Sequence, residues 1–269
     1  MTGVTSGLGK VAALKLANDG HHIIGACRNV QKAEELVEEF QKSEQNSGGT
    51  IKTITCDLSS FDSVRAACAE ILTRYDALDQ LILNAGVWHF ERKETIDNIE
   101  EILQVNLLSP VLMIQLLTPI LTNEETSKII ITSSALHQGR IQFEDIEFKK
   151  HFSGFKAYRQ SKLGVILITR LLHEQLKEKK IGVYCQHPGV VQTQLGRHAR
   201  WLSRLIFKLI GKSATKGART LIFIAASSKS TLTSGAYYAN KKVTKTTVES
   251  YDLKMAERLM KVIQKMITN

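Results

Sequence analysis

The sequence predicts an α/β fold, a doubly wound parallel sheet with helices on both faces, and three observations predict it. Short apolar runs read as strands at Ile51 to Cys56, Gln80 to Leu83, Lys128 to Thr132, Gly182 to Gln186 and Ser234 to Tyr238, with helix-period stretches between them. A glycine-rich turn, Thr2-Gly3-Val4-Thr5-Ser6-Gly7-Leu8-Gly9, opens directly into Lys10 to Ala17, where apolar residues recur at helical spacing. The length of 269 residues, 43% hydrophobic and 23% charged, suffices for one buried core and requires no second domain, so residues 1–269 are expected as a single unit.

The first element is the glycine turn and its helix. Glycines permit a tight turn and bring bare backbone N–H groups close to a ligand, while the positive end of the helix dipole favours a diphosphate. Gly20 to Arg28 then supplies a helix stop and a second strand, completing most of a Rossmann-like dinucleotide-binding unit. Arg28 ends that strand, where many NAD-binding folds place an acidic residue against the ribose hydroxyls. A cation there suits a 2′-phosphate, so NADP(H) is favoured over NAD(H); the plainer reading is a surface arginine. With right-handed crossovers, Asp57, Asn84, Ser134 and Pro188 all fall just after strands, at the edge where such sheets bind ligands.

Further along, Tyr158 and Lys162 stand four residues apart in an apolar helical stretch and share one face. A phenol with a pKa of about 10 is a poor acid at neutral pH, and an ammonium one turn away would stabilise the phenolate and bring it toward working range. The pair alone is a weak signal, since a solvated lysine beside a half-buried tyrosine has the same spacing.

With these motifs in hand, the chain resembles a short-chain dehydrogenase/reductase of the retinol dehydrogenase and WW-domain oxidoreductase-like group, over nearly its whole length. The family's Thr-Gly-x-x-x-Gly-x-Gly corresponds to Thr2 to Gly9, so the resemblance implies cofactor contacts at Gly3, Thr5, Ser6, Gly7, Leu8 and Gly9. Its acidic adenine contact corresponds to Asp57-Leu58, and its Asn-Asn-Ala-Gly element to Leu83-Asn84-Ala85-Gly86, with Leu83 departing from the pattern. Its Pro-Gly-x-x-x-Thr element appears as Pro188 to Thr193, implying that Pro188, Gly189, Val191 and Thr193 hold the nicotinamide carboxamide and diphosphate. The catalytic set implied is Asn106, Ser134, Tyr158 and Lys162. In that set Tyr158 is acid or base, Lys162 lowers its pKa and binds the nicotinamide ribose, Ser134 orients the substrate oxygen, and Asn106 anchors a water leading to Lys162. The implied reaction is hydride transfer between nicotinamide C4 and an alcohol or carbonyl carbon.

The segment between Ser134 and Tyr158, longer than the shortest family members need, carries Phe143, Ile146, Phe148, Phe152 and Phe155. Their bulk fits a lipophilic substrate (retinoid, steroid or polyprenoid-like) about as well as it fits loop packing. The family places a substrate lid at about 194–215, and within it Arg197 to Lys212 puts Trp201, Leu202, Leu205, Ile206 and Leu209 on one helical face with cations opposite. That face suits a lid, a lid that also touches an anionic membrane, or a core helix.

The remaining features bound the function. Net charge is +10, yet no basic patch is interleaved with aromatics, so nucleic acid is not expected. Four cysteines without paired spacing are expected as reduced, buried thiols, and the eight scattered histidines give no metal-ligand spacing, so no metal is expected. With no signal peptide and no run of 18 apolar residues, the expectation is a cytoplasmic protein or one peripheral on an intracellular membrane; a homodimer is compatible. Met1 abuts Thr2-Gly3, leaving no room for the family's central first strand. The expectation is a sequence truncated at its start or, as the alternative, a sheet with a gap whose neighbouring strands have exposed edges. The rival to an enzyme is a catalytically idle family member acting through protein or cofactor binding.

Overall fold

The computed structural model describes residues 1–43, 47–188 and 214–268. Strands β1 (His22–Cys27) and β2 (Thr50–Thr55) pair in parallel as a two-stranded sheet. A five-stranded sheet follows in the order β3 (Gln80–Leu83), β4 (Lys128–Thr132), β5 (Gly182–His187), β6 (Tyr237–Ala239) and β7 (Lys242–Val243), parallel except for the antiparallel β6–β7 pair. β4 is buried at every position and β5 at all but its last residue, as a central parallel strand covered on both faces must be.

Met1 and Thr2 join the two sheets. Thr2 bridges Ala26 in parallel, Ala26 N–H donates to the Met1 carbonyl at 2.8 Å, and Thr2 N–H donates to the Ile82 carbonyl at 2.9 Å. These two residues therefore sit between β1 and β3, in the place the family's central first strand would take. The Met1 ammonium donates to the Ile24 carbonyl at 2.7 Å, and burial pulls it down to about 6.

One face carries α1 (Gly7–Asn18), α2 (Val30–Gln41), whose N-terminus is capped by the Asn29 side chain, and α7 (Ala214–Ala226), with α1 packed on α7. The other carries α3 (Phe61–Arg74), the short α4 (Glu101–Leu103), a π-helical turn at Gln104–Leu108, α5 (Ser109–Leu117) and the long α6 (Gly154–Leu176). Helix α8 (Leu253–Thr268) lies on α6 and inserts Leu259 and Ile263, both fully buried, into the main core; each such side chain contributes about 1.5–3 kcal/mol. Glu101–Ile120 is long and apolar enough to cross a membrane, but 78% of its most apolar window is buried, making it the core helix of this fold.

The last parallel strand begins three residues later than the sequence suggests. Gly235, at φ +77°, makes a turn there and donates its N–H to Val183 O at 2.7 Å, so pairing starts only at Tyr237. All four cysteines are buried free thiols. The amphipathic run 197–212 lies outside the described residues, as does the expected lid apart from residues 214 and 215, which begin α7.

Candidate active site

The glycine turn packs against the residues that follow β3, and the residues after β1, β2, β4 and β5 carry further candidate positions. Thr2 holds the turn against the end of β3: its hydroxyl oxygen accepts N–H bonds from Asn84 at 3.0 Å and Ala85 at 3.1 Å. Gly3 has φ +70°, and a Cβ on it would come within 3.0 Å of Ala85 Cα. A Cβ on Gly9 would stand 2.6 Å from Asn84 Nδ2 and closer still to the Gly3 carbonyl oxygen. Both glycines are therefore set by backbone approach. Gly7, at φ +53°, has open space where its Cβ would be. Thr5 and Ser6 complete the half-buried turn. Ser6 is the N-cap of α1 but makes no side-chain cap bond, and no acidic residue lies in the first turn of the helix. A positive helix end with no acidic residue in its own first turn, fronted by an open glycine, fits a diphosphate.

Arg28 and Asp57 face each other after β1 and β2. The Asp57 carboxylate accepts from Ser59 N–H at 2.9 Å and Ser59 hydroxyl at 2.7 Å, while Arg28 Nη1 lies 3.8 Å from its other oxygen with a side chain 71% exposed. The guanidinium is thus loosely paired and open to solvent. Leu58 is buried, and its carbonyl accepts the Ser109 hydroxyl at 2.6 Å, fixing this corner to α5. Asn84 Oδ1 lies 3.4 Å from Thr132 Oγ1, which in turn accepts from Gln186 Nε2 at 2.8 Å, so a polar row crosses β3, β4 and β5.

Asn106 occupies the π-helical turn, a local feature often found where a helix serves a site. Its Oδ1 accepts Val87 N–H at 2.8 Å, and its Nδ2 donates to Val87 O at 3.0 Å and Ser161 Oγ at 3.1 Å. A Cβ on Gly86 would lie 3.1 Å from Asn106 Oδ1 and 3.3 Å from Lys162 Nζ, so two of the expected catalytic residues converge on that glycine. Lys162 is buried and donates to Thr132 O at 3.0 Å; burial pulls its ammonium down to about 8, with Cys185 acting in the opposite direction.

Tyr158 lies one turn before Lys162 on α6. Burial pushes its phenol above the usual range, and a hydrogen bond with the Ser134 side chain works against that shift. Lys162 Nζ sits 5.6 Å from the centroid of the Tyr158 ring and donates to the Thr132 carbonyl, while Ser134 is the side chain that hydrogen-bonds the Tyr158 phenol. Ser134 Oγ also accepts Leu136 N–H at 3.1 Å. Pro188 follows β5 at half burial; Gly189, Val191 and Thr193 lie outside the described residues.

Sequence reasoning missed Trp88. Its ring stacks on Tyr158 at 5.2 Å and 22°, and Phe90 and Phe155 flank it at 5.6 and 6.3 Å, both largely exposed. The only local signal was position, two residues beyond Gly86. Of the apolar residues between Ser134 and Tyr158, Phe148 and Phe152 pack in the Tyr158 cluster, whereas Phe143 and Ile146 rest against the main core.

Glycine turn, polar row and Tyr158–Lys162 pair at one parallel-sheet edge define a nucleotide-dependent oxidoreductase, and comparison agrees: the chain belongs to the short chain dehydrogenase family, whose model matches residues 1–201. Within that family it falls in the retinol dehydrogenase group. It is 34% identical to Retinol dehydrogenase 14 of Mus musculus, over 99% of this chain and 84% of that one. It is also 34% identical to Retinol dehydrogenase 12 of Homo sapiens, over 97% and 83%. A solved Mycobacterium paratuberculosis protein superposes with a TM-score of 0.81 at 26% identity, covering 100% of this chain and 92% of that one. An alcohol dehydrogenase from Thermococcus sibiricus complexed with 5-hydroxy-NADP shares the fold, with a TM-score of 0.63 at 20% identity over 83% and 88%.

Proposed function

We propose that this chain interconverts an alcohol and a carbonyl on a lipophilic, retinoid-like substrate, with NADP(H) preferred. The observation that carries the reading is the convergence of Ser134, Tyr158 and Lys162 beside a glycine turn shaped for a diphosphate. A nicotinamide nucleotide bound there would supply or accept the hydride. Gly3, Gly7, Leu8 and Gly9 would cradle its diphosphate, Asp57 and Leu58 its adenine side, and Asn84, Ala85 and Gly86 the middle of the site.

In reduction, Tyr158 gives its proton to the substrate oxygen, and in oxidation it takes one back. Burial keeps the phenol protonated in the cofactor-free protein, which is the form reduction needs. Ser134 donates to the same substrate oxygen and orients it. Lys162, held by Thr132, supplies positive charge within one helical turn of Tyr158. Asn106 braces Val87 from both sides and so fixes the segment between Gly86 and Trp88. The wall formed by Trp88, Phe90 and Phe155 supports an apolar, conjugated substrate over a small polar one, as do the names of the related retinol dehydrogenases.

Arg28 supports the NADP(H) preference, because an exposed guanidinium loosely paired to Asp57 can turn toward a 2′-phosphate. The test is turnover of all-trans-retinal with NADPH and with NADH, by wild type and Arg28→Asp. A charge-assisted contact of about 1.5–3 kcal/mol predicts a tenfold or greater fall in the NADPH to NADH ratio of kcat/KM. Wild-type turnover with neither cofactor would favour the idle-scaffold reading, and an unchanged ratio in Arg28→Asp would remove the role of Arg28.

A further inference from the structure

A second aromatic cluster stands behind the Ser134 segment, and none of its members lies in the set just described. The Ser134 carbonyl accepts two side-chain donors, His137 Nδ1 at 2.8 Å and the Tyr237 hydroxyl at 3.1 Å. One residue on, Ala135 N–H donates to His187 Nδ1 at 3.2 Å. The ring of His187 stacks parallel on Tyr237 at 6.2 Å and 8°, and His137 tilts against the same ring at 5.3 Å. Tyr237 comes from β6 and His187 from the end of β5, while His137 belongs to the turn itself.

The direction of these bonds matters. Leu136 N–H occupies an acceptor site on Ser134 Oγ, so the serine hydroxyl is left to point its proton along the side facing Tyr158. That orientation survives only if the peptide between Ser134 and Ala135 cannot rotate. Its carbonyl is held by His137 and Tyr237 and its N–H by His187, so both ends of one peptide plane are pinned. Tyr237 is 3% exposed and its phenol is pushed far up by burial, so it remains a donor throughout the working pH range.

We propose that Tyr237, with His137, is a positioning residue for this reaction: by holding the Ser134 carbonyl it sets the angle at which the Ser134 hydroxyl meets the substrate oxygen. The inference rests on the reading of Ser134 as the group that orients that oxygen. Small misplacements at a reacting centre are costly, and a shift of about 1 Å can reduce rate by about a hundredfold, so loss of one of the two carbonyl donors is expected to cost about tenfold.

The test uses the full chain with NADPH and all-trans-retinal, in wild type, Tyr237→Phe, Ser134→Ala and the double variant, with NADPH affinity read from fluorescence. Phenylalanine keeps the ring that stacks on His187 and removes only the hydroxyl. The expected result is a roughly tenfold lower kcat for Tyr237→Phe with NADPH affinity changed by less than about twofold, and a further loss of less than about twofold when Ser134 is already alanine. An unchanged kcat in Tyr237→Phe, or an equal loss with and without Ser134, overturns the positioning role while leaving the function intact. A Ser134→Ala variant with wild-type kcat overturns the reading of Ser134 itself, and this inference with it. Should Tyr237→Phe fail to fold, His137→Phe, which deletes the other donor, carries the same expectations and the same refutations.

Discussion

Replacing Gly9 with alanine tests whether the glycine turn is shaped by backbone contact in the service of a cofactor. The added Cβ would stand 2.6 Å from Asn84 Nδ2 and 2.8 Å from the Gly3 carbonyl carbon. Ordinary contacts between such atoms begin at about 3.5 Å and the Gly3 carbonyl oxygen would be nearer than either atom, so the turn must recede by more than an ångström. Overpacking of this kind costs about 1–3 kcal/mol. Expressed as lost affinity, if the displaced turn must be restored for the diphosphate to bind, the cost is about 5- to 150-fold. The measurement is NADPH binding by fluorescence, with thermal unfolding alongside to separate loss of the site from loss of the fold. Gly9→Ala should weaken NADPH at least about fivefold and lower Tm by about 2–4 °C for each kcal/mol that falls on folding. An NADPH affinity within twofold of wild type at an unchanged Tm would refute the reasoning, because it would mean that the close approach of Gly9, Gly3 and Asn84 is not needed to receive the nucleotide.

Two further predictions follow from buried groups at the same edge. Trp88→Ala removes the ring stacked on Tyr158 and part of the apolar wall, and an aromatic pair is worth about 0.5–1.5 kcal/mol beyond its area; kcat/KM for all-trans-retinal should therefore fall by a larger factor than kcat/KM for a small water-soluble aldehyde, and equal losses would contradict the wall. Lys162 carries a linkage signature: burial pulls its ammonium down to about 8, so the unfolded chain binds that proton more tightly between pH 8 and the usual lysine range, and wild-type stability rises with pH across that window. The stability advantage of Lys162→Met should be largest below pH 8 and shrink by on the order of 3 kcal/mol toward pH 10.5, measured by urea unfolding; a pH-independent difference would show that the amine is not held at a cost.

Local signals carried most of the fold and the shared helix face of Tyr158 and Lys162. The strands at Gln80 to Leu83 and Lys128 to Thr132 fall where their uninterrupted apolar runs placed them, because a parallel strand buried on both faces leaves a continuous hydrophobic signature. Tyr158 and Lys162 lie on one face of α6 because four-residue spacing on a helix dictates it. What escaped was long-range. Thr2 clamps the backbone of Asn84 and Ala85 from 82 and 83 residues away, and Tyr237 reaches Ser134 across 103, and no window of sequence contains both partners. Trp88 was visible as a residue but not as a neighbour of Tyr158, since a stacking partner on a loop follows no period. The direction of the Lys162 side chain was also beyond the sequence, because the Thr132 carbonyl that captures it is exposed to the site only where β4 ends.

The central claim is that the Tyr158 phenol transfers the proton in alcohol–carbonyl interconversion, and Tyr158→Phe tests it most directly. The ring still packs against Trp88 and Phe148, and only the acidic proton and the contact with Ser134 are lost. With NADPH and all-trans-retinal the account predicts that kcat falls by far more than tenfold while NADPH affinity stays within about twofold of wild type. Retention of more than about a tenth of wild-type kcat, a barrier change below about 1.4 kcal/mol, would contradict it.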